Sequence, residues 1–219
     1  MILEHDGQTV DFFDKFPEDI NNIGIYLSGG TDSALILYLL IKMADDRGQK
    51  LNIYPINGYD VTTPQCDSEI PARAVLNYIK NITGTTRIAD LMVYPYIHLD
   101  KPKYYYLKPV KQYLSLKKNV NHIIFGTSQG MPDLERPVFH ENSAVGEELI
   151  HISETRNDIM VPWAKVNKKF IAAQYDKFNL KKLSNITGSC VMNGSSPCKE
   201  CWWCKERYWA FGSYDGGIQ

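Results

Sequence analysis

"LSGGTDSALIL" occupies Leu27–Leu37, and its reading decides the fold. Before it, "NIGIYL" (Asn22–Leu27) is short, apolar and bounded by turn residues, as a buried strand is. After it, "TDSALILYLLIKMADDRG" has the length and apolar content of a helix that closes at Gly48. The corner between them, Ser28–Ser33, holds two glycines, hydroxyls and a carboxylate. Gly29 and Gly30 let the backbone turn tightly and approach a ligand. Ser28, Thr31 and Ser33 supply hydroxyl donors, and the helix start supplies free N–H groups with a partial positive charge. That set suits a chain of phosphates. Asp32 would repel bare phosphate, so its presence fits phosphates that arrive with Mg²⁺. The Gly-Lys-Ser/Thr of a Walker loop and the third glycine of a dinucleotide fingerprint are both missing.

Strand and helix patterns alternate on either side of this corner. "LNIYPIN" (Leu51–Asn57), "DLMVYPYI" (Asp90–Ile97) and "HIIFGT" (His122–Thr127) read as strands. "DSEIPARAVLNYIKNIT" reads as a helix capped by Asp67 or Ser68. "KYYYLKPVKQYLSLKK" is helical in period, with Pro109 forcing a kink or a late start. The alternation predicts an α/β protein with a doubly wound parallel sheet. At the front, Asp6-Gly7 between alternating apolar residues predicts a hairpin. Residues 128–158 are polar and weakly periodic, the profile of a functional loop or lid. Asp133 and Glu135 lie there and are weak candidates for a substrate amine or Mg²⁺. "IMVPW" predicts a last short strand, and "NKKFIAAQYDKFNL" reads as a helix capped by Asn167. The expected division is a 1–183 nucleotide-binding α/β domain with the hairpin, and a 184–219 metal-binding tail packed on it.

Of five cysteines, Cys190, Cys198, Cys201 and Cys204 crowd into the tail. Their C-x₂-C-x₂-C spacing, preceded by a fourth thiol, closes a tetrahedral zinc site. An iron–sulfur cluster is the rival reading. Arg207 is placed to offset the thiolate charge, and Gly194–Pro197 to give a flexible return loop. Trp202 and Trp203 are expected to pack the tail onto the domain or to make a homodimer contact. Tyr104–Tyr106 are expected in packing before base stacking, and the fifth cysteine, Cys66, as a buried thiol before a sulfur carrier.

The net charge of -1 gives no overall field for nucleic acid or an anionic membrane. The short basic runs "KKNVNH" and "NLKKL" read as solvated faces. The start of the chain lacks the apolar core of a secretory signal, and the longest apolar run falls short of the ~20 residues of a membrane span. A cytoplasmic protein is expected, with no membrane or nucleic-acid partner.

"SGGTDS" after a first strand resembles the pyrophosphate loop of the PP-loop ATP pyrophosphatases. With the C-terminal cysteine array, the chain is similar to the 7-cyano-7-deazaguanine synthases of the queuosine pathway, from Ile25 to about Phe211. "FGTSQ", "VPWAKVNKKFIAAQYDKFNL" and "SNITGSC" carry the resemblance between the two motifs. It implies ATP, Mg²⁺ and Zn²⁺ as cofactors, with Leu27 to Ser33 as the nucleotide loop. It implies Ser28, Asp32, Ser33 and Lys168 as the catalytic set, Lys168 neutralising charge during adenylation. The implied reaction activates a deazapurine carboxylate with ATP and delivers ammonia, giving an amide and then a nitrile. The family's Pro-Gly-Arg-Asn string is absent; that region reads "KPKYYYLKPVKQYLSLKKN". Nucleotide activation therefore carries over further than the identity of the acceptor. The rivals are tRNA thiolation, amidation of another carboxylate, and a non-catalytic nucleotide-binding module.

Overall fold

The structure is a computed structural model that describes residues 1–12, 16, 19–61, 68–96, 108–131, 158–191 and 196–216. β1 (Ile2–His5) and β2 (Gln8–Asp11) form the expected hairpin, in which Leu3 pairs with Val10. Its turn residues Asp6 and Gly7 both have positive φ, 48° and 73°, as a two-residue turn matched to strand twist requires.

The main sheet contains β3 (Asn22–Tyr26), β4 (Asn52–Asp60), β5 (Met92–Tyr96), β6 (Ile123–Phe125) and β7 (Ile159–Met160). All neighbours pair in parallel, in the order β5-β4-β3-β6-β7. The helices are α1 (Thr31–Asp46), α2 (Glu69–Thr83), α3 (Lys108–Lys118), α4 (Lys168–Lys177), α5 (Lys181–Ile186) and α6 (Trp202–Phe211). This is the doubly wound α/β arrangement. α1 and α2 lie on the face whose core contains Ile23, Ile25, Leu35 and Val75. Val110 and Leu114 of α3 cover the other face over Tyr26, Ile56 and Ile123. α1 is buried on nearly every side, from Thr31 to Ala44, which explains why its sequence is almost continuously apolar.

The chain reverses its winding direction between β3 and β6, and α/β sheets bind ligands outside the strand ends at such a point. The Ser28–Ser33 corner leaves β3 there, and Gly126–Ser128 leaves β6 beside it.

α3 starts at Lys108, so Pro109 falls in its first turn, where a missing N–H costs nothing. Asn167 caps α4 by accepting from the Phe170 N–H at 3.1 Å. Ser68 is the N-cap of α2, one of the two expected residues, and its carbonyl accepts from the Ala72 N–H; its hydroxyl makes no cap bond and is engaged with Asn57 instead. The hairpin anchors on α4. Gln8 accepts from the Asn167 N–H, Gln174 donates to the Glu4 carbonyl, and Phe12 stacks on Trp163. The 183/184 division falls within α5, where Leu183 joins the sheet core and Ser184 accepts from Arg207 of α6. Among the described residues no helix is long and apolar enough to cross a membrane. Cys66, Asp67, Tyr104–Tyr106, Asp133, Glu135, Gly194 and Ser195 lie outside the described residues.

Candidate functional site

The corner is held from every side. The Leu27 N–H donates to the Ile56 carbonyl at 2.7 Å, extending the sheet by one residue. The Leu27 carbonyl accepts from buried Asn57, whose amide also reaches Ser68. Asn57 thus ties the entry of the loop to the start of α2. Gly29 has φ +78°, and a Cβ there would lie 2.6 Å from the Ala72 nitrogen. Only glycine combines that backbone with that approach. The Gly29 carbonyl accepts from the Gly188 N–H at 3.0 Å, which joins the loop to the segment leading into the cysteines. The backbone of Gly30 caps α1 without help from a side chain.

The hydroxyls divide into two kinds. Thr31 and Ser33 are buried. Ser33 bonds the Gly30 carbonyl and the Ser28 hydroxyl, and Thr31 reaches Asp32. Ser28 is half-buried, the more accessible of the three, and also accepts from the Gly30 N–H. Beneath the loop, Trp163 donates to the Asp32 carbonyl and Tyr175 to the Thr31 carbonyl. Burial raises the Tyr175 hydroxyl well above its ordinary pKa, so it stays a donor.

The Asp32 carboxylate is engaged at both oxygens. Oδ1 accepts from Lys168 Nζ at 2.7 Å and Oδ2 from the Ser128 hydroxyl at 3.0 Å. The negative charge expected to repel phosphate is therefore met by a cation within the protein. Lys168 Nζ also lies 3.5 Å from Glu206 Oε2. Lys168 occupies the first position of α4, so the expected partner of the loop is delivered to it by a helix start.

Gly126 closes the site from β6. A Cβ there would lie 2.5 Å from the Ser33 nitrogen and 2.8 Å from the Asp32 carbonyl carbon. Both are backbone atoms of α1, and neither can turn aside. Gly126→Ala should therefore push the loop from its seat, at about 1–3 kcal/mol of stability. Its thermal midpoint falls while the cysteine centre keeps its metal; an unchanged midpoint would contradict the packing.

In the tail, the sulfur atoms of Cys190, Cys198, Cys201 and Cys204 all lie within 4.8 Å of one another. A tetrahedral ion with bonds of about 2.3 Å to sulfur needs sulfurs about 3.8 Å apart, so modest contraction closes the site on one ion. A four-iron cubane, with one iron per thiolate, spreads its cysteine sulfurs farther than a single ion does. Cys198 accepts from the Cys201 N–H and Cys190 from the Cys198 N–H. The N–H groups of Cys201 and Glu200 pull the Cys198 thiol down to about 7. Burial pushes Cys201 and Cys204 up, which a bound cation would reverse.

Arg207, expected beside the thiolates, turns elsewhere. It donates to the Ser184 carbonyl, pairs with Asp215 at 3.5 Å and lies 3.7 Å from the Phe211 ring centre. A buried carboxylate is the stronger attraction, and Asp215 is itself held by the N–H and hydroxyl of Ser189, next to Cys190. Trp202 is buried against the domain, with Trp203 edge-on to it, and its ring faces Gly130.

The sequence did not disclose Asn57, Ser128, Trp163, Glu206 or Asp215. One signal was available for Glu206. It lies four residues after Trp202, on the same helical face.

No protein-family model matches this chain, and no curated protein matches it. Among solved structures, it is similar to the U34-tRNA thiolase NcsA from Methanococcus maripaludis, determined with its [4Fe-4S] cluster. The TM-score is 0.49 at 12% identity, over 86% of this chain and 65% of that one. The chain thus spans just under two thirds of that protein's length.

Proposed function

We propose that this protein is an AMP-forming, ATP-dependent ligase of the PP-loop type, with 7-carboxy-7-deazaguanine as acceptor and ammonia as nucleophile. The observation that carries the reading is the Ser28–Ser33 loop at the winding reversal of the sheet, with Lys168 bound to its carboxylate. The N–H groups at the start of α1 and the Ser28 hydroxyl hold the departing pyrophosphate. In this reading Lys168, which pairs with Asp32 of the loop, meets charge that grows on the phosphates as the α–β bond breaks. The acceptor carboxylate attacks the α-phosphorus and pyrophosphate leaves; ammonia then displaces AMP to give the amide. A second ATP activates the amide oxygen, and loss of AMP gives the nitrile. Positioning and charge suffice for these steps, with no nucleophilic side chain.

The four thiolates suit one zinc ion, which would fix the tail and, being fully coordinated, leave no open position for chemistry. Mg²⁺ arrives with ATP as part of the substrate. The partners are small molecules, and the protein works in the cytoplasm without membrane or nucleic acid. A homodimer through the tail belongs to the same reading.

The test incubates zinc-loaded protein with Mg-ATP, ammonium and the deazaguanine acid, and reads products by mass spectrometry. Nitrile together with AMP is expected. Amide with AMP would mean an enzyme that stops after one activation. AMP formed only with tRNA and a sulfur donor would replace this assignment with thiolation. No AMP under any of these conditions would sink the ligase reading.

A further inference from the structure

Glu206 has no part in the scheme above, yet it is buried within reach of the loop's lysine. We propose that Glu206 is a positioning residue for Lys168: a second carboxylate that receives the ammonium when Asp32 exchanges its lysine for the cation that accompanies ATP. The inference rests on the ATP-binding reading of the loop.

The geometry carries it in three steps. Both Asp32 oxygens already accept from donors, Lys168 at 2.7 Å and Ser128 at 3.0 Å. A hard divalent cation binds a carboxylate oxygen at about 2.0–2.1 Å, and an ammonium on the same oxygen would repel it. Full access of the cation to Oδ1 therefore needs Lys168 to withdraw. A withdrawn ammonium needs another counter-charge, because an unpaired buried cation is costly. Glu206 Oε2 stands 3.5 Å from Nζ, roughly 0.7 Å beyond a strong charge-assisted bond. The lysine's root is fixed at the first position of α4 by the Asn167 cap. Only its outer end need move.

The position of Glu206 is set by the cysteine centre. It follows Cys204 by two residues on α6, whose cap position is Cys201. α6 packs on α4, which carries Lys168. Fixing the cysteines fixes the register of α6, and with it the second carboxylate. Gly188 bonded to Gly29 is a separate link between the same two regions.

The test follows binding of a non-hydrolysable ATP analogue by calorimetry across a Mg²⁺ titration, so turnover is not needed. Glu206→Gln should raise the Mg²⁺ needed for half-maximal binding by about tenfold, the scale of one lost charge contact. Melting midpoint and zinc content should hold. Glu206→Asp keeps the charge but withdraws the carboxylate by one methylene, and it should show the same shift. A wild-type response from Glu206→Asp, with a shift in Glu206→Gln, would mean diffuse charge and overturn the positioning role. On a Lys168→Gln background, Glu206→Gln should add nothing; a full additional shift would also overturn it. Wild-type protein that binds the analogue while both Glu206 variants match it overturns this inference alone. Wild-type protein that binds no nucleotide overturns the proposed function and this role with it.

Discussion

Stripping metal from the cysteine centre, or replacing Cys198 with serine, should lower the thermal midpoint by about 8–16 °C and loosen the Ser28–Ser33 loop. Zinc binds four-ligand peptides with about 10–16 kcal/mol. If a third of that is kept as fold stability, about 4 kcal/mol is at stake, at about 2–4 °C per kcal/mol for a chain of this size. The loss should spread because the tail is not an isolated knot. Ser189 beside Cys190 holds Asp215, Asp215 holds Arg207, and Arg207 holds the Ser184 end of α5. Gly188 holds the Gly29 carbonyl. Scanning calorimetry with and without chelator, alongside metal analysis, checks this. One zinc per chain and a lowered midpoint on chelation are expected. An unchanged midpoint would show that the thiols do not anchor the fold. Four irons with sulfide would replace zinc by a cluster. Acid should act as a weak chelator, since each thiol must lose its proton to bind. Protons compete with the ion for all four sulfurs, so metal retention should fall as the pH is lowered.

What the sequence disclosed was local. The Asp6-Gly7 turn, the strand-to-helix corner at Ser28–Ser33, the Asn167 cap and the cysteine spacing each lie within a few residues of one another. Their physics is in the backbone or in one short contact. What stayed hidden was made by distant pairs. Ser128 meets Asp32 across 96 positions, and Trp163 meets it across 131. A serine after a strand, or a glutamate between lysine and arginine in "CKER", looks like any solvated residue until the helices pack. Ser68 and Arg207 show the converse. Each side chain had a plausible local task, a cap bond and a thiolate contact, and each was drawn off by a buried polar group, Asn57 and Asp215, although Ser68 keeps the N-cap position. Buried polar groups must be paired, and that demand outranks a local preference worth about 1 kcal/mol.

Lys168→Ala should produce the largest combined loss, because the same ammonium pairs within the fold and, in the proposed reaction, meets the phosphates. Its side chain is 13% exposed, against 10% for Asp32 and 6% for Glu206. Screening by water is therefore weak. Removing it takes the ammonium from Asp32 Oδ1 and from beside Glu206 Oε2. Breaking a buried pair from one side costs about 3–5 kcal/mol, hence about 6–20 °C in midpoint. Asp32→Asn should cost less, because Lys168 keeps Glu206. Turnover should separate the two roles. Loss of one preorganised electrostatic donor slows chemistry by about 10²–10³-fold, and Lys168→Ala should show at least that in AMP release. Lys168→Arg restores the charge, so it should recover most of the stability. Its planar fork cannot reproduce the point charge of an ammonium, so AMP release should stay depressed. Calorimetry and a pyrophosphate-release assay on the three variants decide the matter. If Lys168→Ala melts like wild type, the ion pair does not hold the site together. If Lys168→Arg turns over like wild type, Lys168 contributes charge alone, and the geometry at its first helical position has no part in catalysis.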